Sequence, residues 1–318
     1  MSSPLDAADD DPNGSDTEID GDPAPASGAA ARFISVLRQP PRSVRVAATV
    51  VGVVGFVVIA WWSVGEYRDR DLDANLWLLA AAGAVGTPLA IWLNALELRV
   101  IARRLGQDPS VSEASVVSLI ASSANVLPLP GSVLIRTWFL ARGGAAMSSV
   151  VRAQVVAGVT FVSVTLVLGG LLLAGQRALP AVVIVAVGSA GIAAMSKVSD
   201  RSYVARLAVV EAGMVASEVG RLLVVFAALG LSVELSGVAP IVVANATSAA
   251  IGIFPAGIGV REALAGAIAW VADTDVALTV ATSTTDRLAT TLMLAVMLLA
   301  LSASGVRQRM VSQMEEGS

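Results

Sequence analysis

Residues Ile251–Glu262 read IGIFPAGIGVRE, in which Pro255, three glycines and two charges lie between long apolar runs. Proline removes a backbone donor and glycine weakens helix, so the stretch predicts a break within an otherwise helical apolar segment. In hydrocarbon the freed N–H and C=O groups find no water. Such a break therefore survives only inside protein or against a wet cavity. Arg261 adds a permanent charge at the break, and an ionisable residue inside a membrane marks a functional site by default.

The same device occurs earlier in the chain. Asn125–Arg136 reads NVLPLPGSVLIR, and Pro130 precedes Arg136 by six positions, as Pro255 precedes Arg261. Each copy follows a run rich in small residues, SLIASSAN before the first and ANATSAAIG before the second. The order of the surrounding apolar segments points to an internal repeat.

Of the 318 residues, 55% are apolar and 14% charged, and the mean hydropathy is +0.76. Long apolar runs at this composition predict a polytopic, all-α integral membrane protein. The net charge of −4 arises largely from an acidic tail, in which Asp6, Asp9, Asp10, Asp11, Asp16, Glu18, Asp20 and Asp22 sit among Pro, Gly and Ser. That composition predicts disorder. Lys197 is the only lysine among 21 basic residues, and an acidic tail with arginine in place of lysine resembles the usage of halophiles, such as a halophilic archaeon; GC-rich codon bias accounts for much of the same pattern. The absence of Cys and His excludes disulfides, thiol nucleophiles, Cys/His zinc sites and His-ligated haem. No Walker lysine, metal site or cofactor motif is present, and the acidic N-terminus does not read as a signal peptide.

Six spans are expected, at Val44–Val64, Ala74–Leu98, Ser148–Ala174, Leu179–Met195, Leu207–Leu229 and Val276–Ser304. Between them lie two re-entrant, broken-helix hairpins, one from Val111 to Leu140 and one from Val238 to Val271. Val111–Val126, at about 24 Å as a helix, falls short of the ~30 Å hydrocarbon core. Each half, about 44–174 and 179–304, is then span, span, hairpin, span. An odd number of crossings inverts one half relative to the other, as in many transporters. Residues 1–43 form the tail, with a basic patch of Arg32, Arg38, Arg42 and Arg45 at the membrane, and 305–318 form a short C-terminal tail. The positive-inside rule supports this layout with both termini cytoplasmic: Arg99, Arg103, Arg104, Arg142, Lys197, Arg201, Arg206, Arg307 and Arg309 fall inside, while Arg68, Arg70 and Arg177 fall outside with Glu234, Asp273 and Asp275.

Five arginines remain within the apolar segments: Arg136, Arg152, Arg221, Arg261 and Arg287. Glu97, Glu113, Glu211, Glu218, Glu262 and Asp286 are the candidate counter-charges. Glu218 and Arg221 stand three apart on one helix face and can pair, while the adjacent Asp286 and Arg287 point apart and need distant partners. One reading is an interior cavity in which Arg136, Arg152, Arg261 and Arg287, with half-helix N-termini after Pro130 and Pro255, hold an anionic headgroup. Asn125, Gly257, Gly259, Glu262 and Asp286 complete the candidate site. The other reading is a set of salt bridges that fixes helix register, with no ligand. Asp286 fits either a proton or cation relay or a structural partner for an arginine.

The string PAGIGVRE followed by a span carrying Asp286-Arg287, with N-x-x-P-x-P-G-x-x-x-x-R in the first half, resembles the lysylphosphatidylglycerol synthase transmembrane region, or flippase-like domain family, over about residues 40–305. Ala256 stands where that family shows its first glycine. The resemblance implies a membrane domain that moves lipids, such as aminoacylated phospholipids, between leaflets, with related proteins linked to polyprenyl-phosphate sugars. No aminoacyl or glycosyl transfer is expected of this chain. Its expected partners are membrane lipids with an anionic or lipid-phosphate headgroup, with no nucleic acid. An alternative is a scaffold for a separate glycosyltransferase or aminoacyl-lipid synthase. A membrane-embedded enzyme would have to use Glu211, Glu218 or Asp286 as its acid or base.

Overall fold

The computed structural model describes residues 74–124, 131–232, 234–251 and 260–303, together with Val58, Trp61 and Gly65. The expected first span, both tails and the break residues 125–130 and 252–259 lie outside the described residues. Among those described there are only helices and turns: α1 (Leu76–Arg104), α2 (Val111–Ala124), α3 (Gly131–Arg142), α4 (Met147–Leu173), α5 (Ala178–Val198), α6 (Arg201–Ala228), α7 (Leu235–Ile251), α8 (Val260–Ala272) and α9 (Val276–Ala303). By length and composition, α1, α4, α5 and α9 are able to cross a membrane. The helix α6 is as long as α9, but Glu211, Glu218 and Arg221 interrupt its apolar character.

Local chemistry sets the helix ends. Asn75 caps α1, its side chain accepting from the N–H groups of Trp77 and Leu78 at 3.1 and 3.2 Å. The helix then runs through Arg99, Arg103 and Arg104 instead of ending at Leu98, because helix formers continue until Gly106 at φ +79°. Ser110 and Glu113 form a reciprocal capping box at the start of α2 (3.0 and 3.2 Å). The expected basic loop Lys197–Arg206 contracts to Ser199 and Asp200 for a similar reason. Asp200 accepts from the Ser202 N–H at 2.7 Å and starts α6 at Arg201.

Contacts between helix termini sort the structure into two ends. At the first end, the Asn75 N–H meets the Ala228 carbonyl at 2.6 Å, joining the start of α1 to the end of α6. There, too, the turn after α4 reaches both the start of α7 (Gln176 to Ser236, 3.1 Å) and the end of α8 (Arg177 to Asp273, 2.7 Å). At the second end, Gln107 after α1 donates to the Leu140 carbonyl near the end of α3 at 2.7 Å. Arg152 near the start of α4 donates to the Val198 carbonyl of α5 at 2.9 Å. Both α2–α3 and α7–α8 pack as pairs. The first pair therefore turns back to the second end and the other pair to the first end. The neck of the α2–α3 hairpin is tight: a Cβ on Gly131 would lie 2.7 Å from the Ala124 carbonyl oxygen.

Among the described residues, the two larger apolar clusters lie around Leu98, Ile101, Leu140, Val150 and Leu207, and around Leu222, Phe226, Ile241 and Val242. The outward surface is apolar as well, including Leu179, Val182, Val183 and Val187 of α5 and Leu292, Val296 and Leu299 of α9. Trp77 and Trp270, 86% and 77% exposed, stand at the first end, where an interfacial belt belongs. Small residues let α4 and α5 approach. A Cβ on Gly188 would sit 2.5 Å from the Ser163 carbonyl oxygen, whereas one on Gly158 would meet nothing within 4 Å. Gly188→Val should therefore lower stability by ~1–3 kcal/mol through forced separation of the two helices. Gly158→Ala should leave it unchanged or raised. Thermal unfolding in detergent compares the two directly.

Candidate functional site

Charged side chains inside the helix bundle gather in two groups. The first lies toward the second end. Arg136 of α3 donates through Nη1 to Glu97 of α1 at 2.8 Å and through Nη2 to the Asn94 amide oxygen at 2.6 Å. Asn94 turns its amide nitrogen to the Ala90 carbonyl at 2.8 Å, which leaves its oxygen free to accept. Deeper along the neighbouring α6 lies Glu211, which is 0% exposed, and neither of its oxygens has a hydrogen-bond partner.

The second group ties together α6, α8 and α9. Asp286, 1% exposed, accepts from Nη2 of Arg221 and from Nη2 of Arg261 on Oδ2, each at 3.2 Å, and Arg221 Nε stands 2.9 Å from Oδ1 as an ion pair. Arg221 also donates to Thr290 Oγ1 at 2.9 Å. Glu218 stands 3.9 Å from Arg261. Beside this cluster, Arg287 of α9 spans both oxygens of the fully enclosed Glu262 of α8 at 3.0 and 3.3 Å. Gly86 of α1 makes room for the network, since a Cβ there would lie 2.6 Å from Arg221 Cδ.

The structure thus brings Arg261, Glu262, Asp286 and Arg287 together and sets Arg136 in a separate group. Asn125, Pro130, Pro255, Gly257 and Gly259 lie outside the described residues. Arg152 does not join either cluster. It is exposed at the second end, where it binds the carbonyl at the end of α5, because its place in the first turns of α4 leaves it at the rim. The expected Glu218–Arg221 pair is also replaced. Arg221 turns to Asp286, which offers two oxygens from a facing helix where Glu218 could offer only a contact along its own. Thr284 and Thr285 hydrogen-bond back to Val280 and Ala281 of their own helix.

Asn94 and Thr290 were missed by sequence reasoning, and Glu97 entered only as a counter-charge. The spacing in IWLNALELRV held a signal. Asn94 and Glu97 are three apart, one polar face in an apolar run, which suits an arginine fork. Glu211 could not be distinguished from the other acids, because its isolation depends on which helices surround it.

No family model matches the sequence, and no curated protein matches it.

The arrangement can hold charge in an apolar interior by pairing each of Arg136, Arg221, Arg261 and Arg287 with a carboxylate. Removing one partner of such a pair leaves an uncompensated buried charge. Asp286→Asn, which deprives two arginines at once, should destabilise the protein by ~3–5 kcal/mol. Glu211→Met, which removes an unpartnered polar group, should instead raise stability by ~1–3 kcal/mol. Unfolding midpoints of the two variants in the same detergent check both signs.

Proposed function

We propose that the chain is a flippase-type integral membrane protein that moves phospholipids or polyprenyl-linked lipids carrying a phosphate between leaflets. The observation that carries this reading is the two packed helix pairs, α2–α3 and α7–α8, that return to opposite ends, each taking an arginine into an apolar interior. Arg136 reaches Glu97 in the long helix that precedes its hairpin. Arg261 stands near Glu218 in the long helix that precedes the other. The correspondence supports two inverted halves, with α6 crossing the bilayer beside α1, α4, α5 and α9, and with the second end and both termini cytoplasmic. Translocation would proceed by rocking of one half against the other, the headgroup phosphate exchanging with carboxylates at Arg136 and Arg261. No catalytic step belongs to this reading.

One observation favours a second reading, a membrane scaffold for a separate lipid-modifying or glycosyl-transferring enzyme. Among the described residues, Arg136, Arg221, Arg261 and Arg287 in the interior already have carboxylate partners. A scaffold needs nothing more from them than register.

Two measurements decide. In proteoliposomes with a fluorescent anionic phospholipid, Arg261→Gln and Arg136→Gln should each slow translocation at least about tenfold while the purified variants still unfold cooperatively. Wild-type rates in both would remove the proposed site and leave the scaffold. For sidedness, the chain has no native cysteine, Ser148 is exposed at the start of α4, and Gly175 has open space around it. Ser148→Cys and Gly175→Cys should react with an impermeant thiol reagent from opposite faces. Labelling from one face would overturn the inverted layout.

A further inference from the structure

A cavity of about 460 Å³ opens at the second end, and its lining includes none of the interior arginines or carboxylates of the two charge clusters. It lies between the end of α1, the start of α4, the α5–α6 turn and the first turn of α6, and Arg104, Ser149, Arg152, Ser199 and Tyr203 line it. Its floor is firm: Tyr203 is 5% exposed, belongs to the larger apolar cluster and donates its hydroxyl to the Ala153 carbonyl at 3.2 Å. Its rim is cationic.

The two rim arginines are differently placed from their neighbours. Arg99 and Arg103 are held by Asp108 at 3.3 and 2.9 Å, and the hydrogen bond and charge of Arg103 keep that carboxyl below its ordinary range. Among the described residues, Arg104 has no carboxylate within ion-pair distance. Arg152 spends one N–H on the Val198 carbonyl and likewise meets no carboxylate. Asp200, the acid beside this turn, is engaged in capping α6; its carboxyl is lowered chiefly by Ser202 and to a smaller degree by the charge of Arg104, which lies beyond ion-pair distance. The start of α4 lies at the rim as well, and Ala146 at its N-cap makes no side-chain cap bond to the N–H groups of the first turn. Around the cavity, the second end carries Arg99, Arg103, Arg104, Arg142, Arg152, Lys197, Arg201 and Arg206 against Asp108, Glu113 and Asp200, eight basic to three acidic residues.

We infer that this cavity binds a phosphate ester, with Arg104 and Arg152 as the two cationic contacts and the hydroxyls of Ser149 and Ser199 as further donors. Guanidinium groups match phosphate oxygens, and basic pockets between helices at a membrane surface select phosphorylated headgroups. The volume is that of a small-molecule site and exceeds what a bare phosphate ion fills. The ester has two sources, a lipid headgroup or a soluble phosphate ester. The site does not depend on lipid translocation and would serve a scaffold equally.

Calorimetric titration of the purified full chain in detergent, free of phosphate buffer, separates the outcomes. The probes are dihexanoyl phosphatidylglycerol, glycerol 3-phosphate and inorganic phosphate. Saturable binding is expected, weakening as salt is raised. Arg104→Gln and Arg152→Gln should each cost about tenfold in affinity. Arg103→Gln, at the same end but committed to Asp108 and away from the cavity, should change it less than about twofold. Binding of the phospholipid alone assigns the ester to lipid, and equal binding of glycerol 3-phosphate assigns it to the soluble ester. Three results overturn the inference: no saturable binding of any probe, inorganic phosphate binding as tightly as either ester, or Arg103→Gln weakening binding as much as the cavity variants.

Discussion

The Asp286 carboxylate is the interaction on which the interior depends. It is enclosed in α9 and accepts from guanidinium groups of α6 and α8, both on Oδ2, while Arg221 also pairs with Oδ1 by charge. In water such a pair adds little, because solvent satisfies both partners when they separate. In an apolar interior the separated state is the costly one, so the pair fixes rotation and depth for every helix that contributes to it. Apolar packing would not do this alone. The helices carry apolar side chains toward their neighbours and toward the outside, so burial distinguishes their faces only weakly. Gly86 extends the same constraint to α1, whose surface must stay bare where the Arg221 stem crosses it.

Arg136 solves the equivalent problem with different chemistry. Its partners are one carboxylate and one amide, both on α1 and three residues apart, so the fork is met by a single helix face. The consequence is a local clamp between α3 and α1, where the Asp286 network is a junction of three helices. The two hairpins are thus secured to the bundle unequally, although each brings an arginine to the helix before it.

The sequence disclosed the helical, membrane-type composition, the short apolar helices α2 and α7 and the different directions in which Asp286 and Arg287 point. These follow from quantities local to the chain: run length, proline and glycine placement, and the rotation between successive helical residues. Partner choice was less legible. Glu218 and Arg221 satisfy a sound spacing rule, yet Asp286 lies about 65 positions away and offers better geometry. Arg152 was read by its distance into an apolar run, whereas its position depends on where α4 begins relative to the end of α5. The charges of the basic stretch before α6 suggest a loop, but the cap at its start outweighs them. Asp200 is a strong N-cap, and one good cap is enough to convert the following residues to helix.

The paired interior limits how an anionic headgroup could enter on the proposed reading. A phosphate cannot simply be added to an arginine whose carboxylate is in place, because the sum would be an excess negative charge in an apolar medium. It must substitute for that carboxylate, and the displaced acid must find a donor, take up a proton or move to water. The pairs differ in how far they resist this. Arg287 spans both oxygens of Glu262, and Asp286 is held from two sides. Arg261 and Glu218 are only loosely joined at 3.9 Å, and neither Arg261 Nε nor Glu218 Oε1 has a hydrogen-bond partner. At that contact a donor and an acceptor are both unspent, and Arg261 is the second residue of α8. Exchange of partners there would disturb the fewest formed hydrogen bonds.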